Sequence, residues 1–225
     1  MNLEKHVIIV AGGSGSRMRS DIPKQFMLLA GLPVLMHTIN AFYRFSTQVQ
    51  IMLVLPTTEI ATWKMLCRKY DFVVPHIIQK GGSSRFQSVK NGLEKIEGDG
   101  LIAVHDGVRP LVSQHIIENA YQTAAKCKSA VAAVRLKESL RYVGDNGSKA
   151  VDRTNYQLIQ TPQTFEVALL KKAYAVTESL EFTDDASVVE ASGHAITLIE
   201  GNYENIKITT PEDLVIGECL LKMKS

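Results

Sequence analysis

The chain has 225 residues, 45% of them hydrophobic, and a formal net charge of +2 at neutral pH. That length buries one substantial core, and so small a net charge, without any Lys/Arg-rich run, argues against a nucleic-acid partner. Cys67, Cys127 and Cys219 lie far apart without C-x-x-C spacing, which argues against a disulfide framework or thiolate metal site. No apolar run reaches transmembrane length and the first residues lack a signal-peptide pattern, so a soluble, cytoplasmic protein is expected.

The first apolar run, Val7–Val10, reads as a buried strand and leads directly into Ala11-Gly12-Gly13-Ser14-Gly15-Ser16-Arg17. Glycines let backbone amides approach phosphate oxygens, and Arg17 and Lys24 add full positive charge at short spacing. A dinucleotide fingerprint needs a third glycine where Met18 stands, and an acid about twenty residues on, where the chain reads Pro33-Val34-Leu35-Met36-His37-Thr38. A Walker loop needs its lysine inside the turn, whereas Lys24 follows Pro23. The remaining reading is a nucleotidyltransferase loop that wraps a triphosphate, with nearby cations at the reacting phosphate.

Further strands are expected at Ile51–Leu55, Val73–Ile78, Leu101–Val104 and Ala130–Val134. Helical patterns at Pro33–Phe45, Glu59–Tyr70, Arg85–Ile96 and Gln114–Cys127 alternate with them. The alternation predicts a three-layer, Rossmann-like α/β fold with a mostly parallel sheet, whose ligands bind beyond strand carboxyl ends. Gly81-Gly82-Ser83-Ser84-Arg85-Phe86-Gln87-Ser88 is a second glycine loop opening a helix. Its amides and hydroxyls suit the polar edge of a nucleobase, and a plain capped helix start fits the same residues. Asp106 follows a strand and suits Mg²⁺ held between phosphates, or a hydrogen-bonded turn. His105 is assigned to packing or strand-end hydrogen bonding, since no second histidine lies at metal-ligand spacing.

Residues 137–160 are polar and turn-rich, with Gly144-Asp145-Asn146-Gly147 as a hairpin tip. Such an arm buries little in its own chain, so a partner subunit is its expected cover. Residues 1–225 thus read as one nucleotidyltransferase domain with 137–160 as a dimerisation arm. Arg153, in Val151-Asp152-Arg153-Thr154, fits either arm solubility or a role in a site. Thr183-Asp184-Asp185-Ala186-Ser187 reads as a helix N-cap. Returning strands are expected at Ala195–Ile199 and Asn205–Ile208, where Lys207, flanked by apolar residues, must reach a polar space or an anion. A last helix begins with Thr210 as cap, Pro211 at its first position and Glu212-Asp213 in its first turn.

Taken in order, AGGSGSRM, Pro23-Lys24-Gln25, GGSSRFQS, HDGVRP, VDR, Gln160-Thr161-Pro162-Gln163, TDDAS and NIKITTPEDL resemble the cytidylyltransferases that make CDP-linked sugar alcohols. The likeness is strongest to those acting on 2-C-methyl-D-erythritol 4-phosphate in non-mevalonate isoprenoid synthesis, and it covers nearly the whole chain. The resemblance implies that Ala11, Gly12, Gly13, Gly15, Ser16 and Arg17 wrap the phosphates of CTP. It implies that Gly82, Ser83 and Ser88 read cytosine, and that Asp106 contacts both Mg²⁺ and substrate. Arg17, Lys24, Arg153 and Lys207 would be catalytic, and Arg109, Ser139, Arg153 and Lys207 would hold the phosphorylated alcohol, Arg153 crossing a homodimer. Three departures stand out: Ser83 replaces a frequent acid, Ser139 lies in Glu-Ser-Leu-Arg where Asp-Thr is usual, and Val108 replaces a common alanine. Val108 also occurs in relatives using ribitol 5-phosphate, which keeps that acceptor open. A phosphate nucleophile is mostly dianionic at neutral pH and needs no general base, in keeping with the lack of any Ser-His-Asp, Cys-His or paired-carboxylate arrangement. Two further readings are a nicotinamide-dependent oxidoreductase, opposed by the missing glycine and acid, and a non-catalytic nucleotide-binding module, opposed by Arg17, Lys24, Asp106 and Lys207.

Overall fold

The computed structural model describes residues 3–12, 22–145 and 147–223, and strands and helices alternate through them as the apolar pattern requires. Strand β1 (Lys5–Val10) is followed by a short hairpin of β2 (Leu28–Leu29) and β3 (Leu32–Pro33), then helix α1 (Val34–Phe45). Next come β4 (Gln50–Leu55), α2 (Ile60–Lys69), β5 (Ile77–Lys80), α3 (Arg85–Leu93), β6 (Leu101–Asp106), α4 (Gln114–Cys127) and β7 (Ser129–Arg135). The hairpin β8 (Leu140–Gly144) and β9 (Gly147–Val151) precedes a long strand β10 (Gln157–Glu166). Helices α5 (Val167–Ala173) and α6 (Asp185–Ala191), strand β11 (Leu198–Glu200) and helix α7 (Pro211–Lys222) complete the described chain.

Seven strands form one mixed, mostly parallel sheet in the order β11-β7-β10-β6-β1-β4-β5. Only β10 runs antiparallel to its neighbours, β6 and β7, among the described strands of this sheet. Side chains alternate between its faces. Val7, Ile9, Leu53 and Ala103 meet Phe42, Trp63 and Tyr121 on one side, whereas Ile8, Val54 and Val104 meet Phe86, Val89 and Leu170 on the other. Both faces are therefore dry, which is why the central parallel strands read as unbroken apolar runs. A third small cluster of Leu29, Val34, Val108 and Ile208, flanked by Leu214 and Leu221, ties α7 and the β2–β3 hairpin to the turn after β6. Val10 pairs in register with Asp106, so β1 and β6 end at the same level.

Three expectations change. Of Val73–Ile78 only Ile77 and Ile78 join the ladder; Val73 is exposed and His76 turns inward to accept the Trp63 indole N–H at 2.9 Å. Asn205–Ile208 forms no ladder, because its backbone is engaged elsewhere: the Asn205 N–H bonds the Asn202 carbonyl at 3.0 Å and the Ile208 N–H bonds the Val108 carbonyl at 2.9 Å. Finally, residues 157–160 of the expected arm lie in the main sheet, at the start of β10. That strand was hidden because Gln160, Thr161, Gln163 and Thr164 are polar yet buried, and the first three are satisfied by partners that only tertiary structure supplies. The two helix starts are as expected: Asp184 and Ser187 form a capping box, as do Thr210 and Asp213, with Pro211 opening α7. Among the described residues no helix is long and apolar enough to cross a membrane.

Candidate active site

A cleft of about 240 Å³ opens where β1 and β6 end, the position at which α/β sheets bind ligands. Its walls include Ala11 and Gly12 after β1, Lys24, the loop Gly81–Ser84 with Arg85 and Ser88, and Asp106, Val108 and Lys207. Each is placed by a local device. Pro23 starts a 3₁₀ turn over Lys24–Phe26, and buried Gln25 and Phe26 anchor it; Phe26 stacks on Trp63 at 6.2 Å. Lys24 is thereby carried on a fixed turn that shares the cleft wall with Ala11 and Gly12.

The second loop is braced by Ser88, whose hydroxyl accepts from the Gly82 N–H at 3.1 Å and donates to the Ser84 carbonyl at 2.8 Å. Ser84 caps α3 by accepting from the Gln87 N–H at 3.0 Å. A Cβ on Gly82 would stand 2.3 Å from the Gln87 Cβ, so glycine is required for this close approach.

Asp106 is the electrostatic centre. Its Oδ2 meets Lys207 Nζ at 3.1 Å and Arg109 Nε at 3.2 Å, while Oδ1 faces Arg85 Nε at 3.9 Å. Burial alone would raise its pKa, but Lys207, Arg85 and Arg109 together hold the carboxyl well below the usual carboxylate range. Its backbone is fixed as well: the Asp106 N–H donates to Thr161 Oγ1 at 3.1 Å, and that hydroxyl lies 3.0 Å from His105 Nδ1. Since His105 Nε2 faces the Arg109 carbonyl at 3.1 Å, Nε2 carries the proton and Nδ1 accepts from Thr161. Complete burial lowers the His105 pKa to about 4, so the ring stays neutral, with both nitrogens committed. It is a structural strut and not a base, in line with the packing role expected of it.

Segment 202–208 brings Lys207 to the cleft. Asn205 Nδ2 donates to the Thr161 carbonyl at 2.8 Å and to Gln160 Oε1 at 3.2 Å, and Arg109 Nη1 donates to the Asn205 carbonyl at 2.8 Å. Arg109 is thus bound to Asp106 and to this segment, behind the cleft wall and not on it.

The sequence of this site and its scaffold match known proteins along their length. A sequence profile of the family 2-C-methyl-D-erythritol 4-phosphate cytidylyltransferase matches residues 5–223. The chain belongs to this family. Its reaction is CTP-dependent cytidylyl transfer to 2-C-methyl-D-erythritol 4-phosphate, forming 4-diphosphocytidyl-2-C-methyl-D-erythritol in non-mevalonate isoprenoid synthesis. The cytidylyltransferases of Phocaeicola vulgatus and Bacteroides thetaiotaomicron are each 52% identical over 219 residues, covering 97% of this chain and 100% of theirs. Among solved structures, the 4-diphosphocytidyl-2C-methyl-D-erythritol synthase of Anaerococcus prevotii superposes with a TM-score of 0.82 at 26% identity, covering 98% of this chain and 96% of that one. The Thermus thermophilus 2-C-methyl-D-erythritol 4-phosphate cytidylyltransferase gives 0.77 at 29% identity, covering 99% and 100%.

Of the cytidylyltransferase positions expected from sequence, the structure brings Ala11, Gly12, Lys24, Gly82, Ser83, Ser88, Asp106 and Lys207 into one cleft. Gly13, Gly15, Ser16 and Arg17 lie outside the described residues. Ser139 and Arg153 do not line the cleft of their own chain; both are exposed on the arm, where Arg153 donates to the Lys137 carbonyl. Sequence reasoning missed Arg85, which lines the cleft, and Thr161 and Asn205, which hold its parts together. Arg85 and Thr161 stood inside quoted motifs, but their partners lie up to 100 residues away, and no local pattern reveals such pairing.

Proposed function

We propose that this cleft works by charge placement around two phosphorylated reactants. A phosphate oxygen of 2-C-methyl-D-erythritol 4-phosphate attacks the α-phosphorus of CTP. The new P–O bond forms as the bond to the bridging oxygen breaks, and pyrophosphate leaves with that electron pair. The obstacle is repulsion between anions, and fixed cations remove it without any proton transfer. The observation that carries the reading is the convergence of Lys24, Arg85 and Lys207 on one cleft around Asp106. Lys24, with Arg17 by the sequence motif, stabilises charge at the α-phosphate, while Lys207 holds the nucleophile. Ala11 and Gly12, with Gly13, Gly15 and Ser16 by the sequence motif, take the triphosphate, and Gly82, Ser83 and Ser88 face cytosine.

The donor set fits Mg²⁺ carried in by the triphosphate. Asp106 Oδ2 is taken by Lys207 and Arg109, whereas among the described residues Oδ1 has only the Arg85 ion pair at 3.9 Å. One carboxylate oxygen with phosphates and water suits Mg²⁺, which supplies charge neutralisation on the phosphates. Arg109, behind the cleft wall, keeps Asp106 in place for that contact. A dimer completes the site: the arm of a second copy delivers Arg153 and Ser139 to the acceptor phosphate. Exposed Tyr142, Val143, Tyr156, Leu158 and Ile159 on and beside the arm support such a partner surface.

Pyrophosphate release from CTP is the test, with 2-C-methyl-D-erythritol 4-phosphate and ribitol 5-phosphate compared as acceptors. Release is expected with the first at much the higher kcat/KM. Equal or better use of ribitol 5-phosphate would overturn the acceptor assignment, and no release with either would overturn the catalytic reading.

A further inference from the structure

Arg85 is shared between two carboxylates of different kinds. Its two terminal nitrogens take the fully buried Asp185 in a bidentate pair, Nη1–Oδ1 at 3.0 Å and Nη2–Oδ2 at 2.6 Å. The inner Nε is left facing Asp106 across 3.9 Å. Asp185 is itself held. The Tyr174 hydroxyl donates to its Oδ1 at 2.6 Å, and the Tyr174 ring stacks on Phe86 at 4.7 Å, next to Arg85 in α3. The start of α6 is pinned to β10 by Gln163, which donates to Asp184 Oδ2 and accepts from the Ala186 N–H, both at 2.8 Å.

We propose that Asp185 is a positioning residue of the cytidylyl-transfer site: by occupying both ends of the Arg85 fork, it keeps that guanidinium from closing bidentately over Asp106. The inference rests on the reading of Asp106 given above. A guanidinium prefers two parallel hydrogen bonds to a carboxylate, and Asp106 offers Arg85 a second carboxylate, with Oδ1 at 3.9 Å from Nε. Asp185 satisfies that preference in the protein interior, so the Oδ1 side of Asp106 stays open toward the cleft. Tyr174 sets the carboxylate plane that the fork must match. The relay therefore links the helix start that bears Asp185 to the loop facing the base, through a side chain that itself lines the cleft.

The test compares wild type with Asp185→Asn, Asp185→Glu and Tyr174→Phe, all assayed well below their melting temperatures. Metal-free CTP binding is measured by calorimetry beside turnover. In Asp185→Asn, kcat should fall roughly 10–100-fold, the scale for a catalytic group misplaced by about 1 Å, with the CTP Kd within about threefold of wild type. Asp185→Glu, which restores a bidentate acceptor, should recover most of that kcat. Tyr174→Phe keeps the ring stack and the ion pair, so it folds even if Asp185→Asn does not, and should show a smaller loss of kcat, again without a change in Kd. Unchanged kcat in folded Asp185→Asn would overturn the proposal. So would losses that follow melting temperature alone across the series, or failure of Asp185→Glu to recover kcat while stably folded. An inactive wild type would instead overturn the cytidylyltransferase reading.

Discussion

Replacing Asp106 by Asn separates its electrostatic role from its shape. Its three cations lie at 3.1, 3.2 and 3.9 Å, and at an effective dielectric of about 20 each gross attraction is about 4–5 kcal/mol. Desolvation of the buried carboxylate offsets most of this, and breaking such a cluster on one side costs about 3–5 kcal/mol. The lower end applies here. Arg85 keeps Asp185, Arg109 keeps the Asn205 carbonyl, and Lys207 is 41% exposed, so water screens its loss. A loss of about 3 kcal/mol corresponds to a melting temperature lowered by roughly 6–12 °C in a protein of this size. The pH dependence sharpens the test. The folded carboxyl titrates below the unfolded one, so its contribution is fully present above pH of about 4 and is lost only as pH falls toward the folded value. The gap between wild type and Asp106→Asn should thus be constant from about pH 5 to 7 and shrink below about pH 4. Thermal melts across that range measure it, with calorimetry of metal-free CTP binding expected to give equal or tighter affinity once the cleft anion is gone. A gap under about 2 °C at pH 7, or one as wide at pH 3, would refute the reasoning.

Lys24→Ala should lower kcat by about 10²–10³, the cost of removing one preorganised donor, as read by pyrophosphate release; near-normal turnover would take Lys24 out of the chemistry. His105 is neutral and buried with its pKa lowered to about 4, against about 6.5 unfolded, so it stabilises the fold above pH of about 6.5 and that stability is lost as pH falls toward 4. His105→Gln should flatten this acid limb by about 3 kcal/mol in urea melts. Subunit mixing tests the arm: if Arg153 acts across a dimer, equal amounts of Lys24→Ala and Arg153→Ala chains, co-refolded, should regain about a quarter of wild-type activity. Only heterodimers then contain an intact site, and they contain one. Activity no greater than the sum of the parents would place Arg153 elsewhere.

The parallel half of the sheet was legible because strands buried on both faces must be apolar throughout, as at Ile51–Leu55 and Leu101–Val104. The helix starts at Asp184 and Thr210 were legible because caps are local chemistry. Lys24, Gly82, Asp106 and Lys207 converge as the motifs implied, because Ala11 and Gly12 after β1, the Gly81–Ser84 loop after β5 and the end of β6 all lie at strand carboxyl ends. β10 escaped notice since its polarity is satisfied by residues far along the chain: Gln160 by Asn202 and Asn205, and Gln163 by Asp184 and Ala186. Val73 misled for the opposite reason, a β-branched residue lying exposed outside any ladder. The Arg85–Asp185 pair was invisible because each member sits in a motif already explained locally, one as a helix opening and the other as part of a capping sequence.

The antiparallel insertion of β10 also bears on how the chain is made. Strand β6 ends at Asp106, but the strand that pairs with its free side is complete only at Glu166, sixty residues later. At ribosomal speeds of about 5–20 residues per second, a nascent chain holds that apolar edge open for roughly 3–12 s. An unpaired edge of this kind templates association with other chains, so a ribosome stalling between those two points would release the species most prone to aggregate.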